Sequence, residues 1–142
     1  MLKKLAFLIL LVSYCHASNV LNALGTMAGQ NVYLTYAAIG STADGYINGS
    51  YSAEEAAGLM DTYQGFSEQA AQLLTELATS KALKPEEKVT VMELKKTYLI
   101  LQKQAAEFKK YITLGDQAFI DGYEVNRSVA WKRISRLLQI KE

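Results

Sequence analysis

Apolar residues recur at steps of three and four along most of the chain, which is the spacing that places them on one face of an α-helix. The sequence contains no useful run of alternating apolar and polar residues, the pattern of a half-buried strand. Asn48-Gly49-Ser50 is flanked by helical patterns, so it reads as a turn between helices and not as a hairpin. The pattern therefore predicts an all-α fold.

The second predicted helix begins at Ser52-Ala53-Glu54-Glu55, a capping box whose serine and glutamate satisfy free N–H groups at a helix start. We expect this helix to end near Ser80. A seam of apolar residues with heptad spacing follows the capping box, and it predicts the buried face. The seam consists of Ala56, Leu59, Tyr63, Phe66, Ala70, Leu73 and Leu77.

The third predicted helix begins at Lys84-Pro85-Glu86-Glu87, with proline in the first turn and acids at the positive end of the helix dipole. Gly115 is a C-terminal stop, and Asp116 is a good N-cap for a fourth helix. The seam of the third helix is as regular as that of the second. It consists of Val91, Leu94, Tyr98, Leu101, Ala105, Phe108 and Ile112.

The first and last helices have less regular patterns. In the first, glycines interrupt the seam, and each weakens a helix by about 1 kcal/mol relative to alanine. In the last, Arg127 occupies a seam position, so either it pairs with a carboxylate or the helix is rotated to bury Asn126. The first seam is Val32, Tyr36, Ile39, Ala43 and Tyr46, and the last is Ile120, Tyr123, Arg127, Ala130, Ile134 and Leu137.

Short connections between consecutive helices force them to be antiparallel neighbours. Four helices joined by such connections predict an antiparallel up-down-up-down four-helix bundle. Residues 18–142 contain no linker or low-complexity stretch that would divide them. We therefore expect this range to form a single helical-bundle domain.

The N-terminal segment has the pattern of a signal peptide. Lys3 and Lys4 form a positive end, an apolar run covers residues 5–12, and Cys15-His16-Ala17 supplies small residues for a cut before Ser18. The pattern predicts that residues 1–17 are a signal peptide and that the protein is exported, either to the periplasm or as a secreted protein.

Two other fates of the N-terminus stay open. The apolar run continues beyond Ser18 and Asn19 to Leu24, so an uncut segment would tether the protein to a membrane. Residues 12–15 loosely resemble a lipoprotein processing site at Cys15, although the bulky Tyr14 argues against it. Contact with a membrane is expected only in these two cases.

Composition excludes several function classes. The 142 residues include 15 Lys+Arg and 14 Asp+Glu, and this balance provides no basic excess for binding nucleic acid. The cysteine and the histidine both lie within residues 1–17, so the mature chain has neither. Catalytic triads, Cys-His sites, histidine-ligated zinc and covalently attached haem are thereby excluded. The glycines match no phosphate-loop spacing. We expect no enzymatic activity, cofactor or metal.

The tripeptide Asp-Gly-Tyr occurs near the end of the first helix and near the start of the last one. In the predicted topology both copies lie at the same, acidic and tyrosine-rich end of the bundle. Lysines and arginines, including Lys81, Lys132 and Arg136, gather at the opposite end. Trp131 lies partly off its seam and is a candidate anchor for a partner. The candidate binding residues are Asp44, Tyr46, Asp121, Tyr123, Arg127 and Trp131.

Two functions fit these observations. The first is a non-catalytic protein that acts through protein–protein contacts, as an accessory or structural component or adaptor in the cell envelope. Its partner is another envelope protein or a second copy in a homo-oligomer. The alternative is a sensor-like module that binds a cation or small ligand, either at the acidic tyrosine-rich end or in a cavity around Tyr36, Tyr63 and Tyr98.

Overall fold

The computed structural model describes the backbone of residues 2–140 and the side chains of residues 25–140. The described part is all-α, with no strand, and so confirms the predicted fold class at the level of four helices. The predicted signal peptide, residues 1–17, lies outside the residues whose side chains are described. This range includes Cys15 and Ala17. The helices are α1 Leu2–Ile47, α2 Ala53–Thr79, α3 Pro85–Leu114 and α4 Gln117–Leu137.

The predicted helix boundaries are confirmed by their capping contacts. The Glu55 backbone N–H donates to Ser52 Oγ at 3.2 Å, and the Ser52 backbone N–H donates to Glu55 Oε2 at 2.8 Å. Gly115 ends α3 in the left-handed conformation, with φ of 71°. Asp116 then accepts a hydrogen bond from the Ala118 backbone N–H at 2.9 Å. Each of these contacts joins residues at most three apart, so the local sequence contains all the groups involved.

Two glycine-to-alanine substitutions should change stability in opposite directions. Gly115→Ala forces a side chain into the left-handed region and should lower the free energy of unfolding by about 1 kcal/mol. Gly58 lies within α2 with no heavy atom near the position of an added Cβ. Gly58→Ala should therefore raise stability by up to about 1 kcal/mol. Urea unfolding followed by circular dichroism measures both, and a shift of the same sign for the two variants would contradict the expectation.

Helix α3 lies at the centre of the packing. It contacts each of the other three helices, whereas no contact joins α2 and α4. The predicted α3 seam is confirmed, because all seven of its residues are buried or pack against the core. Thr97 and Gln104 are buried as well. The buried surface of α3 is thus wider than one seam, which a helix with neighbours on three sides requires.

The predicted seam of α2 is confirmed in part, since Ala56 is buried and Tyr63 and Ala70 pack against the core, but three of its seven residues are not buried. Phe66, Leu73 and Leu77 are exposed to solvent. The buried residues lie one position away for much of the helix, at Ala56, Met60, Ser67 and Ala71. These residues are mostly small, so they leave room for the large side chains of α3. Steric fit to a neighbouring helix therefore determines which face of α2 is buried. The spacing of apolar residues does not report this fit.

Candidate functional site

The tyrosines of the two Asp-Gly-Tyr repeats pack on the same side chain of α3. The ring centroid of Tyr46 lies 6.0 Å from that of Phe108, and the ring centroid of Tyr123 lies 4.9 Å from it. The two aspartates are exposed. Asp121 accepts a hydrogen bond from Gln117 within α4, at 3.2 Å. The repeats therefore supply tyrosines to one aromatic cluster, while their carboxylates remain at the surface.

The glycines of the repeats do not mark a close approach of the first and last helices. A Cβ at Gly45 would lie 2.5 Å from Cδ2 of Tyr51, a residue of the loop after α1. A Cβ at Gly122 would lie 3.1 Å from Oε2 of Glu107, on α3. Each glycine thus accommodates a different neighbour, and the repetition of the tripeptide does not reflect one shared contact.

Arg127 is paired with a carboxylate, which answers the question that its seam position raised. Its Nη1 lies 3.4 Å from Glu124 Oε1, and its guanidinium lies 6.0 Å from the ring centroid of Tyr123. Burial lowers the pKa of Arg127, but the neighbouring Tyr123, Tyr36 and Glu124 outweigh it and raise the pKa overall. Asn126 instead donates to the carbonyl of Gly122, at 2.8 Å.

Tyr123 is 2% exposed and is one of a small set of buried polar side chains. Burial raises the pKa of its hydroxyl, which Arg127 and the nearby Gln104 amide partly offset. Gln104 is 0% exposed. Neither its amide nor the Tyr123 hydroxyl makes a hydrogen bond of ordinary geometry within the described protein. Analysis of the sequence missed Gln104, because a single polar residue beside a seam gives no signal of full burial.

Trp131 packs against aromatic side chains of the same protein. Its ring stacks on Tyr36 of α1 with a centroid distance of 5.8 Å and lies 6.5 Å from the ring of Tyr33. The indole is partly buried. It therefore joins α4 to α1, and little of it remains available as an anchor for a partner.

The tyrosines of the predicted cavity make separate contacts with α1. The Tyr63 hydroxyl of α2 lies 3.2 Å from Thr42 Oγ1. The Tyr98 hydroxyl of α3 donates to Asn31 Oδ1 at 3.1 Å, and burial raises the pKa of this tyrosine. Together with the stacking of Tyr36 on Trp131, these contacts connect α1 to each of the other helices.

The largest exposed apolar side chains of α2 lie along one side of the helix. We call Phe66, Leu73 and Leu77 the α2 stripe. Phe66 is 61% exposed and Leu73 is 65% exposed. Steps of seven and four keep these residues on the same side over three turns. Apolar residues in such a row are a better candidate for an interaction surface than singly scattered ones.

Charge is divided between the two halves of the chain. The first half, residues 18–79, contains no lysine, arginine or histidine. Within residues 18–142, every lysine and arginine lies in the second half, residues 80–142, where cations exceed carboxylates. A count of charged residues in each half of the sequence is enough to find this division. Comparing the two ends of the predicted bundle does not reveal it. The carboxylates of the first half are Asp44, Glu54, Glu55, Asp61, Glu68 and Glu76.

Other kinds of site are not found among the described residues. Their histidine, cysteine, aspartate and glutamate side chains form no group of three that would hold a metal ion. In the same part of the chain, no helix has an apolar stretch of the length needed to cross a membrane. No model of a known protein family, curated protein or solved structure matches the chain.

Proposed function

We propose that this is an exported, non-catalytic helical-bundle protein that acts through protein–protein contacts, as a structural component or adaptor of the cell envelope. The observation that carries the proposal is the α2 stripe. Its side chains match the apolar residues of a helix seam in spacing and chemistry, yet they are exposed to solvent. A partner helix laid along the α2 stripe would bury them.

The free energy available from this surface is substantial. Full burial of one Leu or Phe side chain contributes roughly 1.5–3 kcal/mol. Phe66, Leu73 and Leu77 are each more than one-third exposed, so a partner that covered all three would gain several such contributions. The α2 stripe is thus large enough to anchor a specific contact.

The proposal includes an antiparallel up-down-up-down arrangement of residues 18–142 after a signal peptide, residues 1–17. Contacts between α3 and α4 support this arrangement. Phe108 packs on Tyr123, and Glu93 accepts a hydrogen bond from Arg133 at 2.8 Å. Residue numbers rise along one helix as they fall along the other, as antiparallel neighbours require. In such a bundle the whole α2 stripe lies on the outer surface.

A photoreactive amino acid at position 73 should form a covalent adduct with a partner in cells that express the full chain. The matched control is position 125, because Leu73 is 65% exposed and Val125 is 64% exposed. We expect a discrete adduct from position 73, identified by mass spectrometry, and none from position 125. Phe66→Ser in the same chain should remove the adduct, since both residues belong to the α2 stripe.

The proposal fails if positions 73 and 125 give the same products, or if Phe66→Ser leaves the adduct unchanged. The intact mass of the chain recovered in this experiment reports whether residues 1–17 have been removed. It also separates removal of these residues from lipidation at Cys15 and from an uncut chain. Export is contradicted if the uncut chain is recovered from the cytoplasm.

A further inference from the structure

The outer face of α3 has a second row of exposed side chains, in which apolar residues alternate with lysines. We call Met92, Lys96, Leu99 and Lys103 the α3 stripe. Steps of four, three and four keep these residues on one side of the helix. All four are exposed, although Lys96 also pairs with Glu93 at 2.7 Å. The α3 stripe is therefore apolar and basic.

We propose that the α2 stripe binds the α3 stripe of a second copy of this protein. The proposal rests on the proposed function and names the partner for the same surface. Helix α2 contains five carboxylates and no cation. Pairing between two copies of α2 would bring carboxylates together without a cation, whereas pairing with the α3 stripe places lysines near Glu76. The chain itself thus presents a surface with the required chemistry.

A carboxylate next to the α2 stripe is available for such a contact. Glu76 lies three residues after Leu73, which makes it a neighbour on the helix surface. Glu68 and Glu76 are exposed and make no ion pair within the described residues. Asp61 differs, because it pairs with Lys109 of the same chain at 2.7 Å. Glu76 therefore lies beside the α2 stripe without an ion-pair partner among the described residues, whereas Glu68 lies on the opposite side of the helix.

The two stripes are comparable in length. At 1.5 Å per residue, the span from Phe66 to Leu77 and the span from Met92 to Lys103 are each about 16 Å. A two-fold symmetric dimer engages both stripes of each copy at once, whereas a contact that engages one stripe of each copy extends into rings or filaments.

Disulfide crosslinking between two differently tagged chains tests the pairing. Both chains carry Cys15→Ser; one carries Leu73→Cys and the other Leu99→Cys. The expected product on mild oxidation is the mixed dimer, well beyond the twofold excess over the 73–73 and 99–99 products that random pairing of equal amounts would give. A Val125→Cys chain, mixed with the Leu73→Cys chain, is the matched control and should give little product. Dominance of the 73–73 product indicates pairing between two α2 helices and overturns the proposal.

The same experiment separates this inference from the proposed function. If the mixed dimer does not form, but the photoreactive residue at position 73 gives an adduct with a different protein, the α2 stripe is an interaction surface with another partner. If neither product forms, both proposals fail. Circular dichroism of each cysteine variant confirms that it is folded, as substitution at exposed positions predicts.

Reversal of one charge tests the electrostatic part of the contact. Glu76→Lys should weaken self-association by about fivefold, as measured by sedimentation at several protein concentrations. Glu86→Lys changes the net charge by the same amount on the basic half, and so it should not weaken association. Equal weakening by both variants, or no weakening by Glu76→Lys, would overturn the proposed complementarity. Association of the unmodified chain should also weaken as salt is raised.

Discussion

Phe108→Ala should lower the free energy of unfolding by about 3–5 kcal/mol, the largest effect that we expect from a single substitution. Phe108 is fully buried, and its ring packs against Tyr46, Tyr111 and Tyr123. Alanine would remove the centre of this aromatic cluster and leave a cavity among three rings that belong to three helices. The loss therefore combines lost burial with lost contacts between rings.

Phe66→Ala is the matched control, since it removes the same atoms from an exposed position of α2. It should change the free energy of unfolding by no more than about 0.5 kcal/mol. Urea denaturation of both variants, followed by circular dichroism, measures the difference. Similar losses from the two substitutions would contradict the buried face of α2 described above and would return Phe66 to the core.

Gln104→Met should raise the free energy of unfolding by about 1–3 kcal/mol. The Gln104 side chain is completely buried, and neither atom of its amide group makes a hydrogen bond of ordinary geometry within the described protein, although the amide lies near the Tyr123 hydroxyl. A buried polar group without a well-formed hydrogen bond loses its interactions with water and regains only part of their free energy. Methionine fills a similar volume and has no strong polar group, so the substitution removes this penalty without opening a cavity.

Gln72→Met, at an exposed position of α2, is the control and should change stability by no more than about 0.5 kcal/mol. Chemical denaturation of the two variants and the unmodified chain provides the comparison. A loss of stability in Gln104→Met would show that the amide is hydrogen-bonded in solution. In that case the buried polar group around Tyr123 is a satisfied network, and the expected gain is wrong.

The residues of the proposed interaction surface stand out in the sequence, but their exposure does not. Phe66, Leu73 and Leu77 have the spacing of a buried seam, and their exposure became visible only from the packing of α2. The candidate residues Tyr46 and Tyr123 are in the aromatic cluster, while Asp44 and Asp121 are exposed. Apolar spacing identifies residues that prefer burial, and it does not say whether the same chain or a partner buries them.

Local sequence by itself determined where the helices begin and end and which face of α3 is buried. Capping depends on groups a few residues apart, and α3 has neighbours on three sides, so the residues of its apolar seam are buried in almost any arrangement. Only the tertiary structure decided which face of α2 is buried. That helix has two rows of apolar and small residues about one position apart, and the choice between them depends on steric fit against α1 and α3.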